Sequence, residues 1–180
     1  MSYKTSMAVV LVSFRAPWSR SLRITTTVAM LVLLGVMVVA ALIGSRALMP
    51  MPLRLGLVAL PVLIVLVTLP FMVLGYLLTE KEIEVQRLGW RTLLPLAGLV
   101  AVTGQPEGLR GSMRLFGNGG LFAVTGWYWN RRIGRFRAYA TDPARAVLLR
   151  YRDGRQVVLT PHDVQHFIVK VKTFAGLTTH

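Results

Sequence analysis

Two long stretches without a charged residue lie close together in the first half of the chain, and they constrain its fold more than any other feature. They run from Ile24 to Ser45 and from Leu55 to Thr79. A helix that crosses a hydrocarbon core of about 30 Å needs about 20 apolar residues. The first stretch is also longer than the apolar core of a secretory signal, which has about 7–15 residues. We therefore predict a transmembrane helical hairpin at 24–79, with spans at about 24–45 and 55–79, rather than two core helices of a soluble protein.

The balance of charge indicates an anionic partner. The 180 residues include 21 Lys and Arg against 7 Asp and Glu, which gives a formal net charge of +14. Only 16% of the residues are charged, compared with about a quarter in average soluble domains, and this low value favours a membrane protein. The positive surplus suits lipid head groups, nucleic acid or an acidic protein face. The chain has no cysteine, which excludes disulfides, thiolate metal sites and cysteine nucleophiles.

Basic residues beside the hairpin predict its orientation. Residues 1–23 carry Lys4, Arg15, Arg20 and Arg23 and no acidic residue, whereas the short connecting loop carries two arginines. Loops rich in Lys and Arg tend to stay on the cytoplasmic side of a membrane. A hairpin also returns the chain to the side on which it started. We therefore predict a basic cytoplasmic N-terminal segment at 1–23, a short external loop and a cytoplasmic C-terminal part.

The residues after the second span have the pattern of a small domain that consists of strands followed by one helix. Short runs of alternating, β-branched or aromatic residues, such as Glu82 to Arg87, predict about seven strands. Asp153-Gly154 lies between two apolar runs and predicts a hairpin with a type I′ turn, in which both central residues have positive φ. We predict one domain at 80–175, followed by a tail at 176–180.

The end of this domain carries the signals of an amphipathic helix. Thr160 is predicted to be the N-cap, with Pro161 in the first helical position and Asp163 in the third, where its carboxylate can reach back to the cap. Apolar residues then recur at helical spacing, at Val164, Phe167, Ile168 and Val171. The helix is predicted to close the domain.

Three glycines in FGNGG, namely Gly117, Gly119 and Gly120, have the look of a loop that cradles a phosphate. Such a loop works because a helix N-terminus follows it and offers free N–H groups. Here the residues that follow, LFAVTGWYW, have the pattern of a strand, and no Lys-Ser or Lys-Thr pair is present. We therefore interpret these glycines as a tight turn or a bulge with positive φ, rather than as a nucleotide site.

Two segments of the chain resemble a known family. They are FGNGGLFAVTGWYWNRRIGRFRAYATD and AVLLRYRDGRQVVLTPHDVQHF, and together with their surroundings, over roughly residues 80–175, they resemble the bacterial PH-like domains. The resemblance implies two antiparallel sheets closed by a C-terminal helix, and it implies little about activity. The expected fold is therefore a membrane protein of the α+β class, with two transmembrane α-helices followed by a seven-stranded antiparallel β sandwich or barrel and a C-terminal α-helix.

Arginines alternate with aromatic residues in one part of the domain. This candidate surface for anionic lipid or for a partner protein consists of Trp127, Trp129, Arg131, Arg132, Arg135 and Arg137. Such a mixture can stack nucleic-acid bases, but a tether to the membrane favours lipid head groups, and we expect no nucleic acid. The alternative is a solvated loop beside aromatic residues of the core, because one face of this strand must be buried.

The pair His162 and His166 is the sharpest enzyme candidate. Two histidines four residues apart share one helix face and can hold zinc, but the sequence has Asp163 where a metalloprotease has its glutamate. A catalytic zinc site needs three protein ligands, and the remaining histidine, His180, lies at the end of the sequence. We also find no paired carboxylates and no Ser-His-Asp arrangement. We therefore expect no metal, no cofactor and no catalytic residue.

The sequence is best explained by a non-enzymatic, membrane-anchored interaction module in the bacterial inner membrane. The main hypothesis is a scaffold, an assembly factor or an accessory subunit of a larger membrane complex. Its expected partners are anionic head groups and a membrane protein or a second copy of the chain. The alternative is a regulator that senses anionic lipid, and a zinc-dependent hydrolase at His162 and His166 is a remote third hypothesis.

Overall fold

A computed structural model describes residues 10–44, 50–106 and 109–177. Ser45, the predicted end of the first span, lies outside these residues, as do residues 1–9 and 178–180. The described chain forms three α-helices and ten strands. In chain order these are β1 (Val10–Arg15), α1 (Arg20–Gly44), α2 (Met51–Thr68), β2 (Val73–Thr79), β3 (Glu82–Arg87), β4 (Arg91–Pro95), β5 (Leu99–Gly104), β6 (Met113–Gly119), β7 (Val124–Asn130), β8 (Gly134–Ala140), β9 (Val147–Tyr151), β10 (Gln156–Leu159) and α3 (Val164–Ala175).

The strands form two sheets. The first sheet has the order β1-β2-β3-β4 and is antiparallel throughout, and the second has the order β5-β9-β10-β8-β7-β6. Strand β10 pairs with β9 on one side and with β8 on the other. It is antiparallel to β9 and parallel to β8. The expected seven-stranded antiparallel sandwich is therefore corrected to ten described strands in two sheets, with one parallel pair. Side chains of both sheets meet in one core, against which α3 packs Phe167 and Val171.

Helices α1 and α2 are candidate membrane spans by length and composition. Most of their large apolar side chains are exposed, and the two helices pack against each other. The first helix begins at Arg20, earlier than the predicted start at 24, because the Ser19 hydroxyl accepts a hydrogen bond from the Leu22 N–H (3.1 Å) and caps the first turn.

The second predicted span, at 55–79, is wrong at its C-terminal end. Helix α2 ends at Thr68, and Leu69–Phe71 forms a single 3-10 turn around Pro70, which has no N–H with which to continue the helix. Residues Val73–Thr79 form strand β2, which is mostly buried between β1 and β3. The predicted start of the domain at residue 80 is corrected accordingly, because β2 belongs to the first sheet.

The N-terminal segment also contributes to the domain. Strand β1 pairs with β2, so that Ser13 lies opposite Leu77 and Arg15 opposite Gly75. Phe14 is buried in the core, with its ring centroid 5.0 Å from that of Phe167. The helical hairpin is therefore an insertion between two neighbouring strands, and the chain enters and leaves it at the same end.

Two predictions of local geometry need correction. Gly154 has φ of +83° but Asp153 does not have positive φ, so the loop of the β9–β10 hairpin is a three-residue turn rather than type I′. Asp163, not Thr160, is the N-cap of α3, and its carboxylate accepts from the His166 N–H at 3.0 Å. Thr160 is buried instead, where its hydroxyl accepts from the Thr141 N–H at 2.9 Å.

The pairing of β1 with β2 can be tested by cross-linking, because the chain has no native cysteine. We expect the double variant S13C/L77C to form an intramolecular disulfide under mild oxidation, since these residues face each other across the ladder. The measurement is mass spectrometry of the full-length protein with and without reductant. The control is S13C/L93C, because Leu93 lies in the same row of the sheet but three strands away, at about 14 Å. Cross-linking of the control but not of S13C/L77C would contradict this topology.

Candidate functional site

A cavity of about 140 Å³ lies between the two sheets, next to the end of α2. Its volume is below the range of about 300–1,000 Å³ that is usual for drug-sized ligands, so it suits a small chemical group. We call it the basic cavity, and it is lined by Phe71, Arg87, Phe116, Gly117, Thr125, Gly126, Trp127, Arg137 and Tyr139.

One row of cross-strand pairs on β7 and β8 forms much of this site. Alternation along each strand places three pairs on one face of the second sheet, and these are Thr125 with Tyr139, Trp127 with Arg137, and Trp129 with Arg135. Thr125 and Tyr139 are buried, Trp127 is half-buried, and Arg137, Trp129 and Arg135 are exposed. The row therefore leads from the core to the surface, with the basic cavity at its buried end.

Two arginines flank the ring of Tyr139. The Cζ of Arg87 lies 4.5 Å from the ring centroid, and the Cζ of Arg137 lies 5.2 Å from it. Arg87 also stacks on Trp90, at 5.2 Å, and only 8% of its surface is exposed. Within the described ranges, neither arginine has a carboxylate in salt-bridge distance. Burial lowers the pKa of the Arg87 guanidinium, the neighbouring Tyr139 opposes this shift, and the positive charge of Arg137 adds to it.

Three buried polar atoms of this site make no hydrogen bond of good geometry in the described part of the chain, although the Tyr139 hydroxyl interacts with the side chains of Thr92 and Arg87. The three atoms are Arg87 Nε, Thr125 Oγ1 and Tyr139 Oη. Most buried polar groups of folded proteins are hydrogen-bonded, so three exceptions around one cavity require an explanation. Burial also raises the pKa of the Tyr139 phenol, although the charges of Arg137 and Arg87 act in the opposite direction.

One glycine of FGNGG, Gly117, lies in the wall of this cavity, and none of the three lies in a loop before a helix. Gly117 of β6 and Gly126 of β7 pair with each other and both have positive φ, of +119° and +138°. A Cβ on either residue would collide with the backbone of the other strand, so glycine is required for the close approach of β6 and β7. Gly119 ends β6, and Gly120 (φ +131°) lies in the turn that leads toward β7. No helix follows.

The structure divides the six predicted surface residues into two groups. Trp127 and Arg137 line the basic cavity, while Trp129 and Arg135 continue the same row outward, with the Arg135 Cζ 4.7 Å from the Trp127 ring centroid. The other two residues, Arg131 and Arg132, are exposed in the turn between β7 and β8, away from the cavity.

Sequence reasoning missed six lining residues of the site, of which three are polar, namely Arg87, Thr125 and Tyr139. The sequence does indicate the position of Arg87, because it lies on the same face of β3 as the buried Ile83 and Val85 and therefore points inward. The acidic residues of β3 suggest an ion pair with Arg87, but Glu84 pairs with Arg91 instead, at 3.2 Å. No sequence signal marks Thr125 and Tyr139 as neighbours of Arg87, because they come together only when the two sheets pack.

The histidine pair does not form a metal centre with any described residue. His162 and His166 are exposed, and the His166 ring packs against Phe14 with centroids 5.5 Å apart. Within residues 10–44, 50–106 and 109–177, no three His, Asp or Glu side chains are grouped so that they could hold a metal ion. His180 lies outside these residues.

Comparison with known families identifies the β-rich part of the molecule. The family model described as bacterial PH domain matches residues 74–174, which is more than half of the chain. The match begins within β2, in agreement with the structural boundary, and ends within α3. No curated protein and no solved structure gave a significant match.

Two buried tyrosines provide a matched test of the hydrogen bonding at this site. The Tyr76 hydroxyl donates to the Tyr139 carbonyl (2.7 Å) and accepts from the Thr160 N–H (3.1 Å), whereas the Tyr139 hydroxyl interacts with the Thr92 and Arg87 side chains without a hydrogen bond of good geometry. We expect Y76F to lower the free energy of unfolding by about 1–3 kcal/mol and Y139F to lower it by less. The measurement is Tm of the purified protein in one detergent. A loss in Y139F as large as that in Y76F would contradict this difference, because it would show that the two hydroxyls are equally well hydrogen-bonded.

Proposed function

Because the chain belongs to the bacterial PH domain family, we propose that it is a non-enzymatic interaction module anchored in the bacterial inner membrane. Helices α1 and α2 form the anchor, and the PH domain and both termini lie on the cytoplasmic side. The main support for this proposal is the pairing of β1 with β2. Because β1 precedes α1 and β2 follows α2, both ends of the hairpin join the domain without a flexible linker.

The contacts at the base of the hairpin support this arrangement. Thr26 of α1 is buried, and its hydroxyl accepts a hydrogen bond from the Phe122 N–H at 3.3 Å. At the end of α2, the Pro70 carbonyl accepts from the Gly89 N–H at 3.3 Å. The domain is thus attached to both helices near their ends, and its exposed arginines would be held near the membrane surface, where anionic lipid attracts them.

We assign the module a role as a scaffold, assembly factor or accessory subunit of a larger membrane complex. Its exposed surface supports a protein partner, because β6 is an edge strand of the second sheet and carries exposed apolar side chains at Met113, Leu115 and Phe116. Edge strands of this kind are common sites of association. The partner would be another membrane protein or a second copy of the chain.

A second candidate function is the sensing of anionic lipid. The observation that favours it is the basic cavity, with two arginines that have no described carboxylate partner, beside the end of α2. In this case the domain would report on the lipid composition of the membrane rather than hold a complex together.

The membrane anchor can be tested by fractionation. We expect the full-length protein to stay in the membrane pellet after an alkaline carbonate wash, because α1 and α2 expose apolar side chains along their length. A variant in which a short glycine-rich turn replaces residues 20–71 keeps β1 and β2 adjacent and is expected in the soluble fraction. Release of the full-length protein by carbonate would contradict the anchor.

The scaffold role can be tested by purification of the tagged full-length protein in mild detergent, followed by mass spectrometry of the retained proteins. We expect a stoichiometric membrane-protein partner, and we expect W129A/R135Q to reduce its amount because this pair is exposed on the domain surface. The control is K172Q, which removes one charge from α3, a helix that packs against β5 at the opposite edge of the second sheet from β6. Recovery of the protein with anionic lipid and no partner would favour the lipid-sensing function instead.

A further inference from the structure

We propose that the outer edge of β6 binds an extended, acidic segment of a partner protein, which adds to the second sheet as a further strand. This inference rests on the proposed scaffold role, and it names the chemistry of the partner and the way in which it binds. The site consists of Met113, Arg114, Leu115 and Phe116 on β6.

The edge of β6 offers main-chain groups for strand pairing. This strand is the last of the second sheet, and among the described strands it pairs with β7 alone. Within the described residues, 113–119 make no hydrogen bond to a main-chain group outside that ladder. In an antiparallel strand, alternate residues direct their N–H and C=O groups away from the neighbouring strand. The outer side of β6 therefore presents donors and acceptors that an added strand can pair with.

An irregularity in β6 limits how the edge can pair. The register with β7 shifts between Arg114 and Phe116, so Leu115 is an extra residue without a partner on β7. A bulge of this kind bends and twists an edge strand, which protects it from open-ended association. The edge therefore suits one short extended segment rather than a growing stack of sheets.

Apolar side chains on β6 provide contacts for the added strand. Met113 and Phe116 lie opposite Trp129 and Trp127, so all four side chains share one face of the sheet. Met113 is 64% exposed and Phe116 is 78% exposed. The side chains of an added strand would lie about 5 Å from these two residues and would remove their apolar surface from water.

The charge around β6 favours an acidic segment. Residues 109–140 contain six arginines, no lysine and no acidic residue. Arg114 lies on β6 itself and is exposed, and within the described ranges it has no carboxylate in salt-bridge distance. A Cβ on Gly119 would collide with its guanidinium, so glycine at 119 leaves room for this group along the strand. An acidic residue opposite Arg114 would form a cross-strand ion pair.

The same charge disfavours a second copy of the chain at this edge. Two β6 strands related by a two-fold axis would bring the arginines of both copies together, and like charges across a strand pair are destabilising. The formal net charge of +14 on each copy adds to this repulsion. An acidic partner is instead attracted to the edge before any contact forms. Nucleic acid does not fit the edge, because strand pairing needs a peptide backbone.

The test is a titration of the purified full-length protein, in a non-ionic detergent, with a fluorescent seven-residue peptide that has the length of β6 and alternates glutamate with valine. Binding is followed by fluorescence anisotropy. We expect saturable binding that weakens about tenfold when alternate backbone nitrogens of the peptide are methylated, because methylation removes the hydrogen bonds of strand pairing and keeps the side chains. We expect the same peptide with lysine in place of glutamate to bind weakly.

Each peptide has an outcome that would overturn the proposal. Equal affinity for the methylated peptide would overturn strand addition, and equal affinity for the lysine peptide would overturn the preference for an acidic segment. Failure of the glutamate peptide to bind would overturn the site as a whole.

Two variants and one control locate the peptide on β6. We expect L115P to weaken binding about tenfold, because a bulge on an edge strand tolerates proline, which has no N–H for an added strand. We expect R114Q to weaken binding about threefold, through loss of the cross-strand ion pair. R150Q is the matched control, because Arg150 is exposed on the same face of the second sheet but four strands away.

Equal losses in R114Q and R150Q would show a diffuse charge effect and overturn the site. The Tm of L115P checks that this variant is folded, and the methylated peptide tests strand addition on the unchanged protein. Light scattering in the same detergent tests the other occupant, since a dimer that L115P dissociates would assign the edge to a second copy and overturn the acidic partner.

The partner purification separates this inference from the scaffold role. A membrane-protein partner that L115P retains as well as the unchanged protein does would contradict strand addition at β6 and leave the scaffold role intact. Binding of the glutamate peptide without any retained partner would support the edge site and contradict the scaffold role.

Discussion

The backbone hydrogen bonds between β1 and β2 are the constraint on which the rest of the structure depends. They bring Arg15 opposite Gly75, so the two ends of the helical hairpin leave adjacent strands, about 5 Å apart. Phe14 and Tyr76, one on each strand, are both buried in the core between the sheets. The same pairing that completes the first sheet therefore fixes the base of the hairpin and the position of the basic cavity beside it.

Much of the architecture could be predicted from the sequence because its signals are local. The two uncharged stretches, the hairpin at Asp153-Gly154 and the apolar face of α3 each depend on neighbouring residues. The errors occurred where local signals are ambiguous. Val73–Thr79 is uncharged because it is a buried strand, and composition alone does not separate such a strand from the end of a membrane span. Strand β1 has a partner that follows the hairpin in sequence, so no local pattern identifies it.

The residues of the candidate site were harder to predict from local sequence signals than the architecture was. Arg131 and Arg137 look alike in the sequence, yet one lies in an exposed turn and the other lines the cavity, because strand alternation and sheet packing decide their positions. The alternation of side chains along β3 buries Ile83 and Val85 and also directs Arg87 inward. The inward position of Arg87 could therefore have been predicted from the sequence. Its approach to Tyr139 depends on contact between two sheets, and that contact is not encoded in any short segment.

The position of the hairpin within the first sheet has a consequence for the order of events during synthesis. Strand β1 leaves the ribosome first, but its partner β2 follows only after both helices have been made. The first sheet therefore cannot close until the hairpin has emerged, and integration into the bilayer would come before completion of the domain. A chain whose hairpin fails to insert would carry β1 as an unpaired edge, which cellular quality control can recognise.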